Sequence, residues 1–240
     1  MPVLPNSYVC HFLLTLVTMR PDEFDTFRNE LIKSHMKSYL PLAFLIFTAC
    51  SAAEEPELVQ IRNLLHDIEP LSEKGYLNIV VEIPAGSSEK WEVNKETGNL
   101  EWEQADDSLR VIPYLPYPAN YGMVPRTYLP AHLGGDDDPL DVFLLGPARD
   151  RGTIAKGRLI GVIKMKDGEE QDDKLLAVDP ESWFWPVKDI EDLKRNYSGI
   201  VEILTTWLEN YKGPGIIEIE AIGGREEAEL ILQSAKNHFQ

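Results

Sequence analysis

From residue 77 onward the chain consists of short apolar segments separated by turn-forming residues, and this rhythm limits the folds that it can adopt. In residues 77–83 apolar side chains recur at every second position and Glu82 lies between two of them, which predicts a β-strand with Glu82 on the opposite face. Glycine, proline, asparagine and aspartate separate this segment from the later ones. Further short strands are predicted at residues 91–93, 100–102, 142–145, 159–165, 175–178 and 216–221.

Two helices are predicted near the carboxyl terminus. Between Tyr197 and Tyr211, apolar side chains recur at spacings of three and four residues. A second apolar stripe runs through residues 226–237, directly after a pair of glycines. Many short strands followed by late helices predict a mainly β, α+β fold, in which a small closed β-barrel has helices packed against its outside.

The first fifty residues predict a targeting segment. Residues 1–35 are interpreted as an upstream extension, with the natural start at Met36. Residues 36–50 contain a lysine, an apolar run and small residues, which is typical of a secretory signal and too short for a membrane span of about 20 residues. The end of this segment resembles a bacterial lipobox, so we expect lipidation of Cys50 and a location in the bacterial cell envelope. A buried helix that ends in cysteine is the alternative.

The rest of the chain is predicted to be a tether and one domain. Residues 51–75 are interpreted as a tether with a short helix around 58–68, and residues 76–240 as a single domain. Cleavage before Cys50 would leave this residue as the only cysteine, which excludes a disulfide framework and a zinc site made of cysteines.

The charge of the chain restricts its partners. Lysine and arginine total 23 against 40 aspartates and glutamates, which gives a formal charge of −17. Such a surface repels nucleic-acid phosphates and anionic lipid. An oligonucleotide-binding barrel, which the many strands and aromatic residues also suggest, is therefore disfavoured, and no nucleic-acid partner is expected.

Residues 134–142 read GGDDDPLDV, with four aspartates in six positions. In an extended segment Asp136 and Asp138 point to the same side, and the proline that follows bends the chain so that Asp141 can rejoin them. Converging carboxylates repel one another unless a cation lies between them, and all-oxygen ligands suit Mg²⁺, Mn²⁺ or Ca²⁺. An EF-hand is excluded because its sixth and twelfth positions are Asp141 and Pro147 instead of glycine and glutamate.

A second acidic cluster follows the predicted strand at 159–165. One face of that strand stays small or apolar until Asp167, and Asp172 and Lys174 come next. By itself the segment KDGEEQDDK is typical of a solvated hairpin tip. In a chain that already carries one aspartate cluster, it indicates further ligands for the same metal site.

In this order the motifs resemble those of the bacterial family I soluble inorganic pyrophosphatases. DDDPLDV matches the family pattern DxDPxD, and the resemblance extends from about Leu77 to Phe239. The other matching motifs are VEIP (81–84), KWEV (90–93), ETG (96–98), YPANYG (117–122), GVIKMKD (161–167), DDKLLAV (172–178) and ENYK (209–212). The resemblance implies an OB-like barrel of about five strands with flanking α-helices, formed by residues 76–240.

The resemblance also implies roles for individual residues. The implied metal ligands or metal-adjacent bases are Asp136, Asp138, Asp141, Asp167 and Asp172. The implied lining of a pyrophosphate pocket is Glu82, Lys90, Glu92, Arg110, Tyr121, Lys174, Tyr211 and Lys212. The implied catalytic residues are Asp138 as general base, with Glu82, Lys90, Arg110, Tyr121 and Lys174. Taken singly, each pocket residue also has a structural interpretation, such as Tyr211 on the apolar stripe of its helix.

The implied reaction is Mg²⁺-dependent hydrolysis of inorganic pyrophosphate by metal-activated water, with Asp138 as the general base. The family relation implies an inorganic diphosphatase with several Mg²⁺ ions per site, for which Mn²⁺ or Zn²⁺ are possible substitutes. It implies a homo-oligomer, a hexamer in bacterial relatives, and the cytoplasm as the alternative location. The alternative function is a non-catalytic envelope lipoprotein that binds divalent cations on the same barrel. The pocket lysines disfavour that alternative, because a cation-binding protein has no use for them.

Two features depart from the family pattern. Asp137 stands where a glycine is common, and it adds charge beside the metal site. The interval between Gly98 and Tyr117 is also longer than in bacterial members, and Arg110 is its only arginine.

Overall fold

The structure, a computed structural model, describes residues 62–105 and 107–239. In chain order the described strands are β1 (Leu77–Ile83), β2 (Trp91–Val93), β3 (Leu100–Trp102), β4 (Gln104–Ala105), β5 (Ser108–Leu109), β6 (Asn120–Met123), β7 (Asp141–Leu145), β8 (Ile154–Asp167), β9 (Glu170–Gln171), β10 (Lys174–Val178) and β11 (Ile217–Gly224). The described helices are a 3₁₀ turn (Ala131–Leu133), α1 (Ile190–Asn196), α2 (Ile200–Tyr211) and α3 (Arg225–His238).

Five strands form a closed ring in the order β1, β6, β7, β10, β8 and back to β1. All neighbours in the ring are antiparallel except β7 and β10, which run parallel. The ring closes because β8 is 14 residues long. Its first residues pair with β1, its middle with β10, and its last part with β11. This arrangement confirms the predicted small closed barrel of about five strands.

The helices cover the two faces of the ring. Phe143 of β7 belongs to a buried cluster that includes Leu193 of α1 and Leu204 of α2. Leu144, the next residue of β7, belongs to a second buried cluster, which includes Leu232 of α3. Because both faces are covered, β1 and β10 are buried along their whole length. The predicted flanking helices are thus confirmed, and they explain why these strands are apolar at most positions.

Most predicted strands are present, some with longer bounds, but β6 was not predicted. Its sequence, NYGM, combines asparagine and glycine and reads as a turn. Gly122 is required there because a side chain at this position would collide with the backbone carbonyl of Val80 on β1. The pairs β4–β5 and β8–β9 and helix α1 were also not predicted.

The predicted helix at 58–68 is wrong in its described part, residues 62–68, which forms a turn. The side-chain oxygen of Asn63 accepts hydrogen bonds from the backbone N–H groups of Leu65 (3.0 Å) and His66 (2.8 Å) and so replaces helical bonding. The apolar spacing reflects burial of Leu65 and Ile68 against the barrel. Residues 58–61 of this prediction lie outside the described residues.

The predicted helix at 197–211 begins later than expected, at Ile200. Gly199, with φ 91°, separates it from α1, and Tyr197 is the C-cap residue of α1. Within residues 62–105 and 107–239, the helices fall short of the length and apolarity that a membrane crossing requires. The predicted extension, the signal segment with Cys50 and residues 51–61 of the tether lie outside the described residues.

Candidate active site

Three carboxylates meet where β7 and β10 begin. Asp141 is the first residue of β7, Asp172 lies just before β10, and Asp136 lies in the loop that leads into β7. Because β7 and β10 run parallel with Val142 opposite Leu175, their first residues lie at the same end of the barrel. One oxygen atom from each of the three carboxylates lies within 4.8 Å of the others. This all-oxygen set fits a hard divalent cation.

Lys174 holds this group of carboxylates together. Its Nζ donates to Asp141 (2.5 Å) and to Asp172, and its side chain is 4% exposed. Burial disfavours the charged ammonium, but the charges of Asp141 and Asp172 outweigh burial and raise the pKa of Lys174. Burial, supported by the charge of Asp141, raises the pKa of Asp136 to about 8. A bound cation would relieve the repulsion between Asp136 and Asp141.

The other two predicted metal ligands lie outside this group. Asp138 pairs with Lys95, and Asp167, the last residue of β8, pairs with Lys212 after α2. The structure therefore brings together Asp136, Asp141 and Asp172. Asp138 and Asp167 each form an ion pair with a lysine outside this group.

A second polar group lies beside the carboxylates, on β1, on β2 and at the residue directly before β2. Glu82 is buried, and its carboxylate accepts a hydrogen bond from the backbone N–H of Val93 (2.7 Å). Burial raises the pKa of Glu82 to about 8, although the charge of Lys90 acts in the opposite direction. Lys90 is also buried and pairs with Glu92. Burial opposes its charge, but Glu92 and Glu82 outweigh this effect and raise the pKa of Lys90.

Tyr121 of β6 connects the two groups. The ammonium of Lys90 lies 5.8 Å from the centre of its ring, and that of Lys174 lies 5.9 Å from it. Burial raises the pKa of the Tyr121 hydroxyl, with the charge of Asp141 acting in the same direction. The site thus combines a carboxylate cluster with two buried ammonium groups, a combination suited to a divalent cation and an anionic ligand together.

Comparison with known proteins places the chain in a family. Residues 79–240 match the sequence model described as "Inorganic pyrophosphatase". The chain belongs to the inorganic pyrophosphatase family. This confirms the predicted family resemblance and the predicted enzyme class, inorganic diphosphatase.

Individual members of the pyrophosphatase family cover the same region. The chain is 32% identical over 185 residues to the inorganic pyrophosphatase of Helicobacter pylori (strain J99), an alignment that covers 73% of this chain and 98% of the relative. A solved structure of the Helicobacter pylori enzyme matches with a TM-score of 0.60 at 32% identity, over 73% of this chain and 99% of that one. The structure from Neisseria gonorrhoeae matches with a TM-score of 0.59 at 29% identity, over 74% of this chain and 98% of that one.

The long interval before Tyr117 contains the small β4–β5 hairpin. Arg110 follows this hairpin, and its backbone carbonyl accepts a hydrogen bond from the N–H of Lys90 (3.0 Å). Its guanidinium pairs with Glu103 (2.6 Å). The backbone of Arg110 therefore lies beside Lys90, while its side chain is bound to Glu103 of the same interval.

Asp137, the departure from the family pattern, adopts a left-handed conformation with φ 62°. Its Oδ1 accepts hydrogen bonds from the hydroxyl of Tyr128 (2.9 Å) and the N–H of Ala131 (3.0 Å). The hydrogen bond from Ala131 has the larger effect and that from Tyr128 the smaller, and both lower the pKa of Asp137. Left-handed backbone favours glycine, and aspartate is among the residues that tolerate it. Local hydrogen bonds therefore satisfy the additional charge.

The remaining predicted pocket residues lie at the carboxyl-terminal end of α2. Tyr211 ends this helix and stacks on Trp207, with ring centres 4.5 Å apart, and Lys212 follows directly. Trp207 also lies 4.5 Å from Tyr117, which lies 5.2 Å from Tyr121. The structural interpretation of Tyr211 and its predicted place beside the pocket are therefore compatible.

Sequence reasoning missed Lys95, the partner of Asp138, and the support that Tyr117 and Trp207 give to the site tyrosines. The position of Lys95, directly before the ETG motif, is a signal that could have indicated it.

Proposed function

We propose that this chain hydrolyses inorganic pyrophosphate to two phosphates with Mg²⁺ as its cofactor. One observation carries the proposal: a carboxylate cluster of Asp136, Asp141 and Asp172 lies beside the buried ammonium groups of Lys90 and Lys174. Carboxylates bind divalent cations, and the bound cations together with the lysines bind an anionic substrate. This arrangement explains how a chain with a formal charge of −17 can act on pyrophosphate.

Asp136, Asp141 and Asp172 would hold the first ions, and Asp138 and Asp167 would join them by exchanging their lysine partners. Bound divalent ions supply the site with a water of lowered pKa and neutralise phosphoryl charge. Oxygen ligands favour Mg²⁺ or Mn²⁺ over softer metals, and Zn²⁺ is a further candidate. Several ions per site are proposed.

We assign Asp138 as the general base. Its carboxylate is 43% exposed and pairs with an exposed lysine, so it can leave this partner at little cost. An unpaired carboxylate beside the attacking water can accept the proton that the water loses as it attacks phosphorus. Glu92, which pairs with Lys90, would hold this lysine in place beside the substrate, and Glu82 is bound to the backbone of β2.

Cationic and neutral donors would bind the substrate. The positive side chains of the pocket would stabilise charge on the departing phosphate: Lys90, Arg110, Lys174 and Lys212. Burial raises the pKa of the hydroxyls of both Tyr121 and Tyr211, so both stay protonated and donate hydrogen bonds without adding charge.

The non-catalytic cation-binding alternative is disfavoured by the same lysines. Lys90 and Lys174 are buried, and the protein keeps each buried ammonium group charged by pairing it with carboxylates. A protein that only bound cations would have no anionic ligand for these ammonium groups, which would repel the cation instead.

Phosphate release from pyrophosphate by the purified full chain tests the proposal. We expect rapid release with Mg²⁺, suppression by Ca²⁺ and no release with a chelator. A folded chain that binds Mg²⁺ but releases no phosphate would favour the cation-binding alternative instead.

The single catalytic domain at 76–240, the homo-oligomer, with a hexamer as the specific form, and the lipid anchor at Cys50 also remain proposals. Light scattering of the purified protein tests the oligomer. Cell fractionation with mass spectrometry of the mature amino terminus tests the location. Lipid on Cys50 in the membrane fraction would support the cell envelope, and an unmodified chain in the cytosol would support the cytoplasmic alternative.

A further inference from the structure

A cleft of about 460 Å³ lies beside the aspartate signature and is separate from the proposed pyrophosphate pocket. Leu65, His66, Tyr128 and Phe239 contribute to its walls, and Lys95 lines one part of it. None of the thirteen described residues assigned above to the metal and pyrophosphate site lines this cleft. We name it the carboxyl-terminal cleft because α3 and Phe239 form part of its wall.

The charge of this cleft is opposite to that of the chain. Its described lining residues include Lys95, His66 and His238 and no carboxylate, although acidic residues outnumber basic ones by 40 to 23 in the chain. Leu65 and Phe239 supply apolar surface, and the ring of Phe239 lies 4.9 Å from that of His66. An apolar wall with an ammonium group and two imidazole rings is complementary to a small anion that carries an aromatic or aliphatic body.

The cleft is also in direct contact with the aspartate signature. Lys95 pairs with Asp138, and the hydroxyl of Tyr128 donates to Asp137 (2.9 Å). Both side chains line the cleft, so a ligand there would touch groups that hold two consecutive aspartates of the signature. The Lys95 side chain is 58% exposed, and its pair with Asp138 can therefore be exchanged for another anion at little cost.

We propose that the carboxyl-terminal cleft binds an organic monoanion with an aromatic or aliphatic body, whose acidic group pairs with Lys95. This pairing draws the ammonium of Lys95 away from Asp138. A cation near Asp138 competes with a divalent metal ion for the carboxylate, so the organic anion and the metal ion favour each other's binding. This second part rests on the proposed function, because it takes Asp138 as a residue that meets the metal.

The test of binding uses 8-anilinonaphthalene-1-sulfonate, an aromatic monoanion, titrated into the full chain in the presence of a chelator and followed by fluorescence. The cleft variant carries His238→Gln and Phe239→Ala, which remove a basic group and an apolar wall. A second variant, Lys95→Gln, removes the proposed partner of the sulfonate. Lys188→Gln, at an exposed position outside the cleft, is the matched control for loss of one positive charge.

We expect saturable binding to the unchanged chain, weaker by about tenfold in both the cleft variant and Lys95→Gln, and within about twofold of the unchanged chain in Lys188→Gln. Absence of saturable binding, or equal affinity in all four proteins, would overturn the assignment of the cleft.

The link to the metal site is measured by Mn²⁺ titration with electron spin resonance, which counts free Mn²⁺ without any turnover. With the probe bound, Mn²⁺ affinity should rise by about two- to fivefold in the unchanged chain and stay constant in the cleft variant. Unchanged or weaker Mn²⁺ binding would refute the link through Lys95. Phosphate release is assayed separately, so an inactive chain with this binding pattern would refute the proposed function and leave the cleft assignment standing.

Discussion

Two lysines hold the aspartates of the site in opposite surroundings. The side chain of Lys174 is 4% exposed and binds Asp141 and Asp172, whereas that of Lys95 is 58% exposed and binds Asp138. Removing one member of a buried ion pair leaves an uncompensated charge, but exposed pairs are screened by water and contribute little. The inner half of the site is therefore part of the fold, and the outer half can exchange partners during a reaction.

The largest effect is expected from Lys174→Met. Loss of the buried ammonium leaves the partly buried carboxylates of Asp141 and Asp172 without their shared cation, so the free energy of unfolding should fall by about 3–5 kcal/mol. Urea denaturation with a chelator present measures this loss, and phosphate release should fall with it. Mg²⁺ should restore part of the stability, because it supplies the missing positive charge. A Lys174→Met variant as stable as the parent would remove the distinction between the inner and outer lysines.

Asp138→Asn should have the next largest effect, on turnover instead of stability. An amide cannot accept the proton of the attacking water, so phosphate release should fall by about 10²- to 10⁴-fold. Asp138 is partly exposed, and the melting temperature should therefore change little.

Asp137→Asn is the matched control, with the same chemical change at the adjacent residue. An asparagine retains the Oδ1 atom that accepts from Tyr128 and Ala131, so we expect turnover to be largely retained. Near-normal phosphate release by Asp138→Asn would show that Asp138 is not the base.

The sequence could predict much of this arrangement because strand periods and turn residues are local signals. The apolar runs at 142–145 and 175–178 correspond to β7 and β10, and these strands place Asp141 and Asp172 at one end of the barrel. By contrast, the sequence of β6 is typical of a turn because it combines asparagine and glycine. Its Gly122 is needed for close contact with Val80 of β1, and a contact between residues so far apart in the chain leaves no local signal.

The predicted convergence of Asp136, Asp138 and Asp141 was met for Asp136 and Asp141 only. That prediction assumed an extended segment, in which alternate side chains share a face. Asp137 is left-handed, with φ 62°, so the alternation is interrupted between Asp136 and Asp138. Asp138 pairs with Lys95 instead. The left-handed conformation of Asp137 is accompanied by hydrogen bonds from Tyr128 and Ala131, which lie outside the motif and are not indicated by it.

A further variant, Glu82→Gln, extends the comparison to the other buried titratable group of the site. Burial raises the pKa of Glu82 from 4.5 to about 8 in the folded protein, so the folded state binds its proton more tightly than the unfolded state. The resulting stabilisation is complete below about pH 4.5 and is lost as the pH rises through about 8. Glutamine does not titrate, so the variant should lose less stability than the parent between pH 5 and pH 8.

Chemical denaturation at several pH values with a chelator measures this difference for Glu82→Gln. Glu202→Gln, at an exposed position of α2, controls for the loss of one acidic charge. Parallel stability curves for the parent and Glu82→Gln would mean that Glu82 is ionised in the folded state throughout this range, as an exposed carboxylate would be.

The smallest effect on stability is expected from Lys95→Met, the counterpart of Lys174→Met. The Lys95–Asp138 pair is exposed at both ends, so its removal should change the free energy of unfolding by less than about 1 kcal/mol. Urea denaturation under the conditions used for Lys174→Met gives the direct comparison. Since Lys95 also repels cations from Asp138, Mn²⁺ should bind the variant more tightly, while stability stays near that of the parent. A loss of stability as large as that of Lys174→Met would mean that water does not screen the outer pair, and Asp138 could not then leave its lysine at little cost to act as a base.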